Sequence, residues 1–433
     1  MVAGNWSNTM INATESVTRS RRMLTVCSLA GMLLAAVWAT THQSARVHKP
    51  EEFGARHDGV TDDTVAIQRA ADACIGGGTL LLASGTYLSG PITLSTDTTL
   101  DIEKGSTLLG TTDHNRYLTR SSGKMRPLVG GQRVHDITLT GGGTIDGQGQ
   151  SWWSDVKAAK AANKDLPDRP RMVEFDRIRH LRVNNLTLQN SPMFHLVPST
   201  AEDVVIDRVR IVAPADSPNT DGIDPTGRDM VISNCLIDVG DDNVALKSGH
   251  VDPDHPDAAT ANITVVDCVF LHGHGLSIGS ETLGGVQHVR ALRIRFDGTV
   301  TAIRIKSARD RGGQISDIFY NDIKIANVGT AVLITDYYPK IPKTDDAQPV
   351  TASTPDIHDI HLMNVVASGA KTLGGIYGLP ERPIRNVLFT GVSLSGSKGM
   401  TVRNSSLTLD HSKLIANQDV ALIREVGAEV KGD

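Results

Sequence analysis

Four cysteines in 433 residues, spread as Cys27, Cys74, Cys235 and Cys268, are too few and too scattered for a disulfide-stapled scaffold. Aromatic residues make up only 4% of the chain and its formal charge is −5, so it has neither the basic face nor the stacking side chains of a nucleic-acid binder. No nucleic-acid partner is expected, and any anionic ligand has to be met by a local cluster of cations. Long hydrophobic runs are missing apart from LTVCSLAGMLLAAVWA, residues 24–39, which is short for a membrane span. It follows Arg19, Arg21 and Arg22 and ends in small residues, with Val37 and Ala39 suited to cleavage. That layout predicts a secretory signal peptide and short leader over residues 1–45, a secreted or periplasmic protein, and no membrane association once the signal is removed.

Helical periodicity is scarce as well. One amphipathic helix is expected near the start of the mature chain, where Thr61 to Asp63 offer side-chain oxygens to its first amides. Ile67, Ala70, Ala71 and Cys74 form its apolar face, and Gly76 to Gly78 stop it. Beyond it, short period-two segments recur, each introduced by a polar residue: HDITLTGGGTI, RHLRVNNLTL, EDVVIDRVRI, RDMVISNCLI, ANITVVDCVF and further copies to RNVLFTGVSL. No ordinary helix fits between most of them, which disfavours doubly wound α/β folds and alternating barrels. Two-residue hairpin loops are not the rule either, which disfavours a sandwich. The expected architecture is all-β: a single right-handed parallel β-helix over residues 46–433, capped by the N-terminal helix and monomeric.

Three longer stretches interrupt the repeat, beginning at Thr111, Gln150 and Tyr337, and such insertions in solenoids form groove walls. Trp152 and Trp153 in the second are expected to bury against the coil. Cys235 and Cys268 occupy equivalent places in ISNCLI and VVDCVF and are expected to stack as core thiols.

Aligning TDGIDP, DDNVALKSG, HGLSIGSE, TAIRIKSA and TAVLITDYY puts Ile223, Val244, Leu276, Ile303 and Val332 inward, followed inward by Pro225, Leu246, Ile278, Ile305 and Ile334. The opposite parity, including Lys247, Arg304 and Lys306, faces outward. Asp221, Asp242 and His274 take the same position before successive strands, about 5 Å apart from coil to coil, with Asp241 at the adjoining turn. Any one of these aspartates could be an ordinary turn residue. Crowding all of them with an imidazole and cations, without a metal-ligand pattern, points to paired carboxylates for acid and base work.

The segments NTDGIDP, GDDNVALKSG, GHGLSIGSE and RIK, in that order, resemble the four signature segments of glycoside hydrolase family 28, the polygalacturonases. FGARHDGVTDDTVAIQRAADAC is similar to the start of many members, and G-D-D in place of Q-D-D looks more like the bacterial branch. The resemblance implies a right-handed β-helix, no metal or other cofactor, and inverting hydrolysis of α-1,4 galacturonide links in an anionic pectic polysaccharide. Carried over by motif, Asp241 is the general acid, while Asp221 and Asp242 position and deprotonate water. His274 holds the protonation state of the acid, whose pKa is expected to be raised by its charged neighbours. Arg304 and Lys306 bind substrate carboxylates, with Lys247 a further candidate, and either Tyr337 or Tyr338 is the site tyrosine. Rhamnogalacturonan and xylogalacturonan hydrolysis are the alternatives within the family. A β-helix pectate lyase would leave unsaturated products, and a non-catalytic carbohydrate-binding β-helix would have no reason to keep the acid, imidazole and cation set together.

Overall fold

The computed structural model describes residues 46–118, 125–256 and 258–432. The expected signal segment, with Cys27 and the paired arginines, lies outside them, as does the middle of the first insertion. Val47–Asp433 form one compact unit, a right-handed parallel β-helix in which every strand-to-strand ladder among the described residues is parallel. No helix among the described residues is long and apolar enough to cross a membrane.

Each full coil contributes to three sheets in turn. In one coil these strands are Gly227–Ser233, Leu236–Asp238 and Val244–Leu246, and in the next they are Thr260–Val266, Val269–Phe270 and Leu276–Ile278. The corners flanking the first sheet rest on single left-handed residues spaced five apart. Asp203 and Arg208, Asp229 and Asn234, Asn262 and Asp267, His288 and Arg293, Asp317 and Asp322, and Asp359 and Asn364 all have φ between 50° and 61°. Most are Asp or Asn, the non-glycine residues that tolerate this conformation best. Four residues remain between the corners, enough for two inward side chains, such as Val204 and Ile206.

The core is a set of files running along the axis. Ile223, Val244, Leu276, Ile303 and Val332 pair one upon the next, as the alignment required, and all have zero exposure. Leu246, Ile278, Ile305 and Ile334 form the second file, also at zero exposure, with Pro225 buried ahead of them. Each such side chain contributes about 1.5–3 kcal/mol by leaving water. Phe270 and Phe296 stack edge-on in consecutive coils, centroids 5.3 Å apart.

The capping helix spans Thr64–Ala73 and buries Ile67, Ala70 and Ala71. Its N-terminus differs from expectation. Only Asp62 accepts from a helix amide, that of Thr64, whereas the Asp63 carboxylate turns back to the Arg56 and His57 amides and pins the preceding loop. In the second insertion Gln150–Ala161 form a helix whose tryptophans are buried. Trp152 stacks on His114 and the Trp153 indole donates to the Ser191 carbonyl at 3.0 Å. The third insertion is tied down by Arg309, paired with Asp345 and Glu381, and by Arg403, which donates to the Pro342 and Lys343 carbonyls.

Cys235 and Cys268 are buried free thiols one coil apart. Labelling the denatured, unreduced protein is expected to modify Cys74, Cys235 and Cys268 alike; protection of Cys235 and Cys268 together would mean a bridge and a different packing at that level.

Candidate active site

The third sheet carries the candidate catalytic residues. Leu196, Ile223, Val244, Leu276, Ile303 and Val332 are partners across six coils. Counting two residues back from each gives a file of Phe194, Asp221, Asp242 and His274, continuing into Thr301 and Thr330. Here the strands pass into turns, and side-chain hydrogen bonds lace those turns together. Thr220 Oγ1 accepts from the Gly240 amide at 3.0 Å, tying N-T-D to G-D-D. The fully buried Asn243 accepts from the Gly275 amide at 2.8 Å and donates to the carbonyls of Ile237 and His272, tying G-D-D to G-H-G. Gly273 has φ +110°, and a Cβ there would lie 2.4 Å from the Asp241 carbonyl oxygen. Only glycine lets the turn approach so closely, which brings the His274 amide to that same carbonyl at 2.9 Å.

The Asp242 carboxylate receives three side-chain donors, with His274 Nδ1 farther off, 3.7 Å from Oδ1. Lys306 Nζ lies 2.7 Å from Oδ2, while Oδ1 receives Ser277 Oγ at 2.7 Å and Arg304 at 3.3 Å. The Asp241 carboxylate is half-buried; its Oδ1 lies 3.0 Å from His274 Nδ1 and 3.0 Å from the Asp242 amide, and its Oδ2 lies 3.4 Å from Asn219 Nδ2. Asp221 is buried at 4% exposure, with Lys247 Nζ 3.7 Å from Oδ2 and no hydrogen-bond partner for Oδ1 among the described residues.

These environments separate the carboxyls. Burial, with Asp224 and Asp241 close by, pushes the Asp221 carboxyl well above the ordinary range. Asp224 rises to about 6, burial outweighing the nearby Lys247 ammonium. Asp241 goes the other way: burial raises it, but the hydrogen bond and charge of His274, together with Lys306, bring it below its ordinary value. The expected elevation of the Asp241 pKa is therefore corrected. The carboxyl held high is Asp221, because it is buried beside acids and its nearest cation, Lys247, stands off at 3.7 Å, whereas Asp241 has an imidazole in contact.

The structure brings Asp221, Asp241, Asp242 and His274 to one place and puts Arg304 and Lys306 beside them. Those two cations engage Asp242 directly, which leaves them less free for a ligand than expected. Lys247 is spoken for by Asp224, at 2.5 Å, with its Nζ 4.3 Å from the Phe194 ring centre. Tyr337 is buried and donates to Asp345 at 2.8 Å, away from the acids. Tyr338 is half-buried, and Lys306, Arg311 and Arg304 lie 5.3, 5.5 and 5.9 Å from its ring centre. Of the doubled tyrosine, Tyr338 is the one at the site.

Sequence reasoning missed Asp224 and Ser277, although both share the outward parity of Arg304 and the alignment contained them. It also missed Asn219, the buried Arg169 and His195. His195 Nε2 accepts from the Ser191 amide, so Nδ1 carries the hydrogen and donates to the Asp221 carbonyl at 3.0 Å. Burial lowers this imidazole to about 4, keeping it neutral at physiological pH.

The profile model described as glycosyl hydrolases family 28 matches residues 76–412. An endo-polygalacturonase of Pectobacterium parmentieri is 29% identical over 90% of this chain and 96% of its own length. A probable polygalacturonase of Vitis vinifera is 30% identical over 81% of this chain and 74% of its own. Among solved structures, a hyperthermoactive exopolygalacturonase from Thermotoga maritima superposes with TM-score 0.73 at 28% identity, covering 86% of this chain and 92% of that one. A surface adhesin of Streptococcus pneumoniae, PfbA, superposes with TM-score 0.57 at 15% identity over 90% of this chain and 93% of its own. That likeness is of fold alone.

A buried carboxyl with a raised folded pKa binds its proton more tightly folded than unfolded, so stability falls as pH rises from the unfolded value through the folded one. Asp221→Asn removes that cost. Its melting temperature is expected to exceed wild type at pH 7, with the gap closing as pH falls to the ordinary carboxylate range. A gap that stays constant with pH would mean that Asp221 is not held protonated by burial.

Proposed function

Because the chain belongs to glycosyl hydrolases family 28, we propose that it is a pectin-degrading hydrolase that cleaves α-1,4-galacturonosidic bonds of de-esterified polygalacturonate with inversion. The observation that carries this reading is the convergence of Asp221, Asp242 and His274 on one file, with Asp241 against His274 at its side, next to a ring bordered by three cations.

Inversion needs one carboxyl to protonate the leaving oxygen and another to activate water on the opposite side of the sugar. Of the adjacent pair, Asp242 is committed to two cations, Lys306 at 2.7 Å and Arg304 at 3.3 Å, with His274 Nδ1 farther off at 3.7 Å. Asp241 has His274 Nδ1 3.0 Å from its Oδ1, a contact through which the imidazole governs the carboxyl's protonation, and Oδ2 is left to deliver the proton to the glycosidic oxygen. This supports Asp241 as the general acid. Asp221 and Asp242 orient water and take its proton, and Asp221 must be ionised to do so. Burial makes an ionised Asp221 a strong base. A sugar carboxylate resting against Tyr338 meets Arg304, Lys306 and Arg311; Arg311 is the one of these not engaged with Asp242. Export as a monomer, directed by the N-terminal basic and apolar run, completes the reading.

Incubation with polygalacturonate is expected to release reducing ends without unsaturated products. Each carboxylate lost to methyl esterification forfeits a charge-assisted hydrogen bond of roughly 1.5–3 kcal/mol, so highly esterified pectin is expected to be cleaved about ten- to a hundredfold less efficiently. Equal rates on both polymers would remove the galacturonide assignment. Asp241→Asn is expected to keep the fold and substrate affinity while turnover falls by about 10²–10⁴; a well-folded variant with more than roughly a tenth of wild-type turnover would take Asp241 out of the acid role.

A further inference from the structure

Arg169 lies in the second insertion, after its helix, outside the repeat of the coils. Its side chain is 7% exposed, an unfavourable place for a guanidinium unless its donors are used. They are used without a direct carboxylate contact. Nη1 donates to the carbonyls of Pro192 and Pro218, at 2.9 and 2.7 Å, and Nη2 donates to Asn219 Oδ1 at 2.7 Å. Burial pulls the guanidinium pKa down, while Asp221 and Asp241 pull it up through space.

A guanidinium has no acceptor, so the Asn219 atom facing it has to be the oxygen, and the amide cannot turn over. Its NH₂ group therefore points at Asp241 Oδ2, 3.4 Å away, a separation typical of catalytic hydrogen bonds that tighten when substrate arrives. With Asp241 Oδ1 held by His274 and the Asp242 amide, Oδ2 is the oxygen left to present a proton to the leaving group.

We propose that Arg169 is a positioning residue for the general acid: it locks the Asn219 amide so that its NH₂ orients Asp241 Oδ2. The proposal rests on Asp241 being the acid. If the lock were lost, Asn219 could turn its carbonyl oxygen toward Asp241, an arrangement that favours the protonated carboxyl. Loss of the Arg169 charge acts in the same direction. The titratable and charged groups facing Asp241 are His274, Asp242, Asp221, Lys306 and Arg169 itself, so removing Arg169 takes one cation from a carboxyl that already faces two acids.

The test is the pH dependence of kcat and KM on polygalacturonate for Arg169→Met, Arg169→Lys, Asn219→Ala and the double variant Arg169→Met/Asn219→Ala. It is paired with a carboxyl-carbon NMR titration of Asp241 in substrate-free protein. Arg169→Met is expected to lower kcat by roughly ten- to a hundredfold with little change in KM. Its alkaline limb, which reports loss of the acid's proton, should move to higher pH, and the Asp241 titration should move with it. Arg169→Lys keeps the charge but not the fork, and is expected to return the alkaline limb toward wild type while restoring only part of kcat. The double variant should be no worse than the more damaged single one, because both act on the same carboxyl. Multiplying losses in the double variant, or an unmoved Asp241 titration in a folded Arg169→Met, would overturn the proposal. If Arg169→Met does not fold, Asn219→Ala decides by the same limb and titration. Failure of the wild type to cleave any galacturonan would count against the proposed activity, while the NMR titration would still settle whether Arg169 controls Asp241.

Discussion

Each coil of this protein has to lie in register on the one before it, because the backbone amides and carbonyls of its strands pair with those of the neighbouring coils. From that constraint follow the apolar files of the core and the left-handed corners that return the chain to the same place each turn. The grouping of the acids follows too. In a solenoid, residues at equal positions in successive coils are neighbours in space. Placing Asp221, Asp242 and His274 two residues ahead of Ile223, Val244 and Leu276 suffices to assemble a site. The hydrogen bonds from Thr220 and Asn243 to the next turn hold that grouping together where strand pairing stops.

Bringing so many carboxyls to one surface is electrostatically unfavourable, and the protein meets the cost unevenly. Asp242 is surrounded by donors, and Asp224 is given Lys247. Asp221 has Lys247 only at 3.7 Å, and its Oδ1 has no hydrogen-bond partner among the described residues. The unevenness is chemically useful, since acid and base catalysis needs carboxyls of different proton affinity in one place. It also sets stability against function at Asp221, where a well-satisfied group would be a poor base.

Much of this was legible in the sequence for a specific reason. In a parallel solenoid, one correct alignment of inward residues fixes the facing of every other residue in those strands, and the alignment through Ile223, Val244, Leu276, Ile303 and Val332 holds residue for residue. The four motifs, the capping helix, the buried tryptophans and the unbridged thiols were readable on that basis. What was not readable depends on contacts outside the repeat. Arg169 reaches the site from an insertion, and Tyr337 is drawn away from it by Asp345, in the same insertion as that tyrosine. The direction of the Asp241 shift depends on a 3.0 Å contact with His274, and charge counting along the chain gives the opposite sign. Asp63 likewise prefers the amides of the preceding loop to those of its helix.

The five-residue spacing of the left-handed corners recurs through the middle coils of the first sheet, where an added residue without a compensating bulge would turn the side chains that follow inside out. Length varies most beside the third sheet, on both margins, at 111–128 and 147–172 before its strands and at 336–355 after them. The scaffold thus separates what may drift from what may not. Lengthening or trimming those margins can reshape how a long polymer lies across the acids, or whether its end is held, while the stacked interior stays as it was. A lineage built on this plan can change its choice of substrate without having to fold differently.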